Sequence, residues 1–285
     1  MKIPFTKMHG TGNDYIYLDC TEWMPKDPGA LSRKMSLRHF SVGADGLVLI
    51  SASARADAEM RMFNADGSEG NICGNALCCV GKYLYDSGLC KKTEMTVDTR
   101  SGVRRLFLFP EKRSATMQVR VEMGSASFSP EAVPVCRAAP MIDEALTMDG
   151  KTLRVTALSV GNPHAVLFTD DAQVPEPEQF AAALERSRLF PEGVNTEVVF
   201  PASPEELLMR VYERGSGETL ACGSGACAAV AAAVATGICA PEREIRVCLP
   251  GGVLQVLCTA ENRVYLTGTA QTVYEGVYEN ADSLE

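Results

Sequence analysis

Several things are scarce in this chain of 285 residues, and each scarcity excludes something. No apolar run is long enough to span a membrane: the longest, residues 225–235, falls short of the roughly 18 residues that a spanning helix requires. The opening MKIPFTKMHGTGNDY has no unbroken apolar stretch and does not read as a secretory signal. Basic residues do not predominate. A balance of 27 Lys and Arg against 36 Asp and Glu leaves a net charge of -9, which disfavours nucleic acid and anionic membranes as partners. Cysteine is plentiful, but its eleven residues are odd in number and never spaced C-x-x-C. That pattern argues against a disulfide framework and a metal site, and for free thiols in a reducing cytoplasm. What remains is an ordinary composition, 46% hydrophobic and 22% charged, with a length suited to two domains and a small-molecule substrate.

The chain repeats itself. Cys73 opens CGNALC and Cys222 opens CGSGAC, 149 positions apart. The same offset carries Gly12-Asn13 onto Gly161-Asn162, Arg61 onto Arg210, Glu69 onto Glu218, Cys78 onto Cys227 and Gly88 onto Gly237. The matches bracket one unit: a strand, a turn, Cys-Gly, an apolar helix and a terminal glycine. AEMRMF (58–63) and ELLMRVY (206–212) supply the strands, NADGSEGN and ERGSGET the turns. Helices are expected near 74–87 and 223–236, each stopped by a glycine suited to the position after the cap.

Elsewhere short strands are expected at 14–20, 46–51, 93–98, 103–109, 116–123, 152–158, 164–168, 195–200, 243–249, 252–258 and 263–267, with amphipathic helices near 29–39 and 177–187. The pattern predicts an α+β fold of two pseudo-symmetric domains, each a mostly antiparallel sheet wrapped around a buried central helix. The first is expected over 1–117 with a C-terminal strand from 270–285, the second over 118–269. The connection is expected near 124–150, where Pro130, Pro134 and Pro140 fall, and an active site in the cleft between the domains.

Two cysteines at helix starts carry a chemical meaning. Unpaired N–H groups at such an end favour negative charge and draw a thiol toward its thiolate. Two acid/base groups on opposite faces of one carbon are what inversion of a stereocentre requires: one removes a proton and the other supplies one. N–H groups of Gly74, Asn75, Gly223 and Ser224 are placed to hold a carboxylate whose charge grows during the reaction. Neither metal nor pyridoxal phosphate is needed, so no cofactor is expected.

MHGTGNDY, RHFSVGADGL, FNADGSEGNICGNALCC, VGNPHAV, EGVNTEVVF and VYERGSGETLACGSGACAA, six ordered blocks from residue 8 to residue 230, together resemble the diaminopimelate epimerases. The resemblance implies a cofactor-independent interconversion of LL- and meso-diaminopimelate, feeding lysine and peptidoglycan synthesis. It makes Cys73 and Cys222 the acid/base pair and sets His164 and Glu213 beside the thiols. Substrate contacts fall on Asn13, Asn64, Asn162, Asn195, Glu213 and Arg214, with the steps Gly74-Asn75 and Gly223-Ser224 holding the reacting carboxylate. A distal arginine suits a second carboxylate. Two positions depart from the pattern: Gly46 stands where some relatives carry a substrate-binding glutamine, and Ser224 where threonine is common. The reading leaves room for a homodimer.

Taken singly, these residues have blander explanations. Free cysteine is among the most buried residue types, and that explanation is kept for Cys20, Cys78, Cys79, Cys90, Cys136, Cys227, Cys239, Cys248 and Cys258. His9 and His39 read as structural, the four asparagines could be turn residues, and Glu213-Arg214 could be a surface charge pair. The repeat and the neighbouring Cys-Gly steps favour function for the chosen set. The competing functions are a related racemase of another amino acid, a thiol redox or metal-binding protein, and a non-catalytic ligand-binding module.

Overall fold

The computed structural model describes residues 2–111, 114–148 and 151–279, in which seventeen strands and four helices alternate. The chain divides into two compact units, one of residues up to Val121 with those from Gly268 onward, the other Glu122–Thr267.

The first unit contains β1 (Lys2–Gly10), β2 (Asn13–Asp19), α1 (Pro28–Met35), β3 (Gly46–Ser51), β4 (Ala58–Asn64), β5 (Glu69–Gly70), α2 (Gly74–Ser87), β6 (Glu94–Thr99) and β7 (Gly102–Phe109). The chain leaves it through β8 (Thr116–Ser125). The second unit repeats the order: β10 (Lys151–Ser159), after an additional β9 (Glu144–Met148), then β11 (Pro163–Phe168), α3 (Glu178–Ser187), β12 (Asn195–Ser203), β13 (Glu206–Glu213), β14 (Gly217–Thr219), α4 (Gly223–Ala235), β15 (Glu244–Leu249) and β16 (Gly252–Cys258). The last strand, β17 (Arg263–Glu279), ends against β1 in the first unit, pairing Lys2 with Glu279 and Gly10 with Ala270. It joins the stretches expected at 263–267 and 270–285 into one element, and residues 280–285 lie outside the described ones.

Register shows how closely the halves correspond. β2 runs parallel to β3 with Tyr15 opposite Gly46, and β11 runs parallel to β12 with His164 opposite Asn195, 149 residues further on at both positions. The ion pair Arg61–Glu69 ties β4 to β5 at 2.8 Å, and its repeat Arg210–Glu218 ties β13 to β14 at 2.7 Å. Both pairs brace the short strand that leads into the cysteine.

The sheets are not purely antiparallel, a refinement of the expected architecture. β2–β3, β4–β6, β11–β12 and β13–β15 are parallel. Each of these pairs is joined by a crossover containing a helix, which is the connection that parallel neighbours require. The division between units falls inside β8 and β17 rather than in the proline-bearing stretch near 124–150, which belongs to the second unit. Pro130 and Pro134 sit in a turn there, and Val133, Val135 and Met141 are buried in a core with Leu184 and Phe190.

The two cysteine-led helices differ in surroundings. Ala226 through Ala233 of α4 are all fully buried, with β10, β11, β12 and β16 packed against the helix. α2 is buried through Leu84 against β1, β2 and β7, and turns polar over its last residues. Gly88 (φ 80°) ends α2, and Gly237 (φ 75°) follows the cap of α4, left-handed positions that glycine takes without penalty. α1 stops at Met35, four residues before the expected 39, because the chain folds back there: the amides of Gly43 and Ala44 donate to the carbonyls of Met35 and Ser36. Among the described residues no helix is long and apolar enough to cross a membrane.

Candidate active site

In each unit the predicted residues gather at the start of the cysteine-led helix. Cys73 is the N-cap of α2, in extended conformation, and Cys222 is the N-cap of α4 in the same conformation. The sulfur takes the place usually held by a Ser, Thr or Asp oxygen. Ala76 N donates to Cys73 Sγ at 3.5 Å, and Gly225 N donates to Cys222 Sγ at 3.4 Å. Gly74 and Gly223 follow, each the first residue of its helix.

In the first unit, Cys73 Sγ donates to Asn13 Oδ1 at 3.3 Å, and Asn13 Nδ2 donates to Asp45 Oδ2 at 2.9 Å. Asp45 is paired to Arg38 at 3.0 Å, and Arg38 also reaches Asp14 at 2.7 Å. Asp14 in turn meets the buried Lys7 at 2.5 Å, whose ammonium also donates to the Gly43 carbonyl. Burial pushes the Asp14 carboxyl up, but hydrogen bonds from Lys7 and Arg38 prevail and hold it below the ordinary aspartate value. Asn75, 2% exposed, accepts from Thr11 at 3.4 Å, while its Nδ2 is buried with no hydrogen-bond partner among the described residues. Asn64, at the end of β4, donates to Ser68 at 2.9 Å. Gly46 lies in β3 opposite Asn64. A Cβ there would come within 2.1 Å of the Phe63 carbonyl oxygen and 2.8 Å of Tyr15 Cε1, so in this backbone a glutamine does not fit.

Where the first unit has Tyr15, Val48 and Asn64, the second has the ionisable residues His164, Glu197 and Glu213. His164 Nδ1 lies 2.7 Å from Glu197 Oε1, both side chains fully buried, and Nε2 lies 3.0 Å from Asn162 Oδ1. Asn162 Nδ2 donates to Ser224 Oγ at 3.3 Å, and Ser224 Oγ lies 3.4 Å from Cys222 Sγ. Glu213 accepts from Thr219 at 2.5 Å and is hydrogen-bonded to Cys222. Asn195 accepts from the Arg214 amide at 2.9 Å and donates to the Pro163 carbonyl at 2.9 Å. The Arg214 guanidinium donates to the Glu192 carbonyl at 2.8 Å.

Electrostatically the second half departs from expectation. Burial, then the negative charges of Glu213 and Glu197, push the Cys222 thiol well above its ordinary value, against hydrogen bonds from Ser224 and the Gly225 amide. The helix end is present, yet desolvation and two carboxylates outweigh it. Burial likewise raises the Glu213 carboxyl, against the hydrogen bonds from Thr219 and Cys222.

Glu197 is the functional candidate that sequence reasoning passed over. It stands in NTEVVF, a strand buried on both faces from Asn195 to Val199, and a glutamate inside such a run was the available signal. Asp14, Asp45, Lys7 and Arg38 were passed over too, because they act behind Asn13 rather than at the thiol.

The model of the family described as diaminopimelate epimerase matches residues 5–129 and 156–273. The diaminopimelate epimerase of Acetivibrio thermocellus is 45% identical over 274 residues, covering 95% of this chain and 97% of that protein. The diaminopimelate epimerase of Desulfitobacterium hafniense is 43% identical over 275 residues, covering 95% and 96%. In fold, the chain is similar to a phenazine biosynthesis protein of the PhzF family from Bacillus anthracis (TM-score 0.71, 16% identity, 98% of this chain and 100% of that one). It is also similar to a hydroxyproline epimerase from Agrobacterium vitis, solved with trans-4-hydroxy-L-proline (TM-score 0.70, 16% identity, 99% and 94% covered).

Proposed function

The chain belongs to the diaminopimelate epimerase family and epimerises diaminopimelate in lysine biosynthesis, and we propose that Cys73 and Cys222 are the acid/base pair of that reaction. One sulfur removes the α-proton as a thiolate while the other, as a thiol, delivers a proton to the opposite face. The reverse direction exchanges their roles. The observation that carries this reading is the matched placement of the two sulfurs: each caps a buried helix, Cys73 meets the asparagine of a Gly-Asn step directly and Cys222 reaches its own through Ser224, and the two occur 149 residues apart in one repeated order.

The carbanion formed between the two transfers has its charge drawn onto the α-carboxylate. The amides at Gly74-Asn75 and Gly223-Ser224, at helix starts, are donors for that charge. The buried, unanswered Nδ2 of Asn75 supports a ligand acceptor at that point. His164 and Glu213 act on the Cys222 side, Glu213 in direct contact with the sulfur. Asn64, Asn162, Asn195 and Arg214 are assigned to the amino-acid ends of the substrate, Arg214 as a carboxylate donor. Eleven free thiols support a reducing cytoplasmic setting.

The test is a stereospecific assay on LL-diaminopimelate in deuterated water with Cys73→Ala and Cys222→Ala. Each variant is expected to lose turnover, by a factor of at least about 100, while still binding substrate by calorimetry. Turnover near that of the parent in either variant removes that sulfur from the chemistry.

A further inference from the structure

A carboxylate sits fully buried behind the second thiol, where its cost demands a reason. Glu197 Oε1 meets His164 Nδ1 at 2.7 Å, and its other oxygen, Oε2, has no hydrogen-bond partner among the described residues. The contact fixes a hydrogen on Nδ1 and leaves Nε2 as the end of the ring that faces outward. From there one chain of contacts runs to the sulfur: Nε2 to Asn162 Oδ1, Asn162 Nδ2 to Ser224 Oγ, and Ser224 Oγ to Cys222 Sγ. In this order His164 donates on both sides, through Nδ1 to Glu197 and through Nε2 to Asn162, while Asn162 and Ser224 each accept from the neighbour behind and donate to the one ahead. The serine hydrogen is therefore directed at the sulfur, which is met as an acceptor, the condition of a thiolate. With the Asn162 amide reversed, the chain would run the other way and accept the hydrogen of a thiol.

We propose that Glu197 is a positioning residue for Cys222: by gripping His164 through Nδ1 it sets the direction of the Asn162–Ser224 chain and keeps a hydroxyl donor on the sulfur. The proposal rests on the acid/base reading of Cys222. The titratable groups acting on that sulfur are Glu213 from β13 and Glu197 from β12, with Ser224 and the Gly225 amide from its own helix, while His164 from β11 acts on Glu213. The first unit has no counterpart, since Tyr15 and Val48 occupy the positions 149 residues before His164 and Glu197. The site is also tightly filled: a Cβ at Gly225 would lie 2.8 Å from Glu197 Oε1.

Glu197→Gln in the full-length enzyme separates this role from that of a bystander charge, because the two predict opposite signs. Loss of a nearby negative charge alone makes Cys222 easier to ionise and moves the acid limb of the kcat/KM profile to lower pH. Loss of the grip on His164 removes a donor from the thiolate, so the limb moves to higher pH. The expected result is an upward shift in the reaction direction that uses Cys222 as base, with kcat reduced about tenfold and KM little changed. A downward shift, or none, overturns the proposal. His164→Asn combined with Glu197→Gln is expected to lose no more than the worse single variant, and multiplied losses count against the proposal.

Should Glu197→Gln fail to fold, 15N-histidine spectra of the parent enzyme give the answer, assigned through His9→Asn and His39→Asn. Nδ1 of His164 is expected to carry a hydrogen and to be strongly hydrogen-bonded, and an Nδ1 without hydrogen overturns the proposal. The two readings fail differently. An active Cys222→Ala removes the acid/base assignment, whereas an inactive Cys222→Ala beside an unshifted Glu197→Gln removes only the role of Glu197.

Discussion

Glu213 is a carboxyl group kept where water scarcely reaches, and its folding energetics carry a sign that can be measured. Burial raises its pKa above the unfolded value, so the folded state holds a proton over a range where the unfolded chain has released it. Its contribution is most favourable below about 4.5 and is lost as pH rises through the raised value, at about 1.4 kcal/mol for each unit of displacement. Glu213→Gln is therefore expected to match the parent in stability near pH 4 and to exceed it at pH 8 by urea denaturation, while losing activity. A variant less stable than the parent at pH 8 would show that the hydrogen bonds from Thr219 and Cys222 outweigh the burial. At this scale the sequence was legible wherever a residue belonged to the repeat: Cys73, Cys222, Asn13 and Asn162 all stand at the two helix starts. Glu197 was hidden because its meaning comes from His164, its neighbour across β11 and β12 and not along the chain.

Among elements, β3 is closely confined at its start. Its first residue lies against the Phe63 carbonyl of β4 and the ring of Tyr15 from β2. Gly46→Ala is expected to cost about 1–3 kcal/mol, the usual penalty of forcing atoms into filled space, read as a lower urea midpoint with unchanged slope. Full stability would mean that the strand yields freely at that point. The longer strands were visible from their alternating or apolar runs, α2 and α4 from their apolar stretches and terminal glycines, and α3 from its amphipathic spacing. β1 was not, because the buried Lys7 interrupts its apolar face, and that lysine is tolerated only through Asp14 and the Gly43 carbonyl. β5 and β14 span two and three residues, too few for any periodicity to register, and they read as turns.

For the molecule as a whole, duplication supplied a frame and divergence filled it unequally. The same offset that aligns strands, crossovers and the Arg–Glu braces sets Tyr15, Val48 and Asn64 against His164, Glu197 and Glu213. One sulfur is half-buried beside an amide, while the other is 6% exposed and faces two carboxylates. Iodoacetamide at pH 8 followed by peptide mapping is expected to label Cys73 well before Cys222, since reaction requires both access and thiolate. Equal labelling of the two would contradict the inequality of their settings. This difference was invisible to the repeat itself, which reports where two halves agree and is silent on where they part.

The fastening of each cysteine-led helix also has a chemical cost. An ordinary helix is pinned at its start by an inert oxygen, but here the pin is the atom that reacts. Oxidant or alkylating damage to either sulfur would thus strike twice, ending proton transfer and loosening the first turn of the rod on which that half is built, so that a poisoned molecule also becomes one that proteases can recognise.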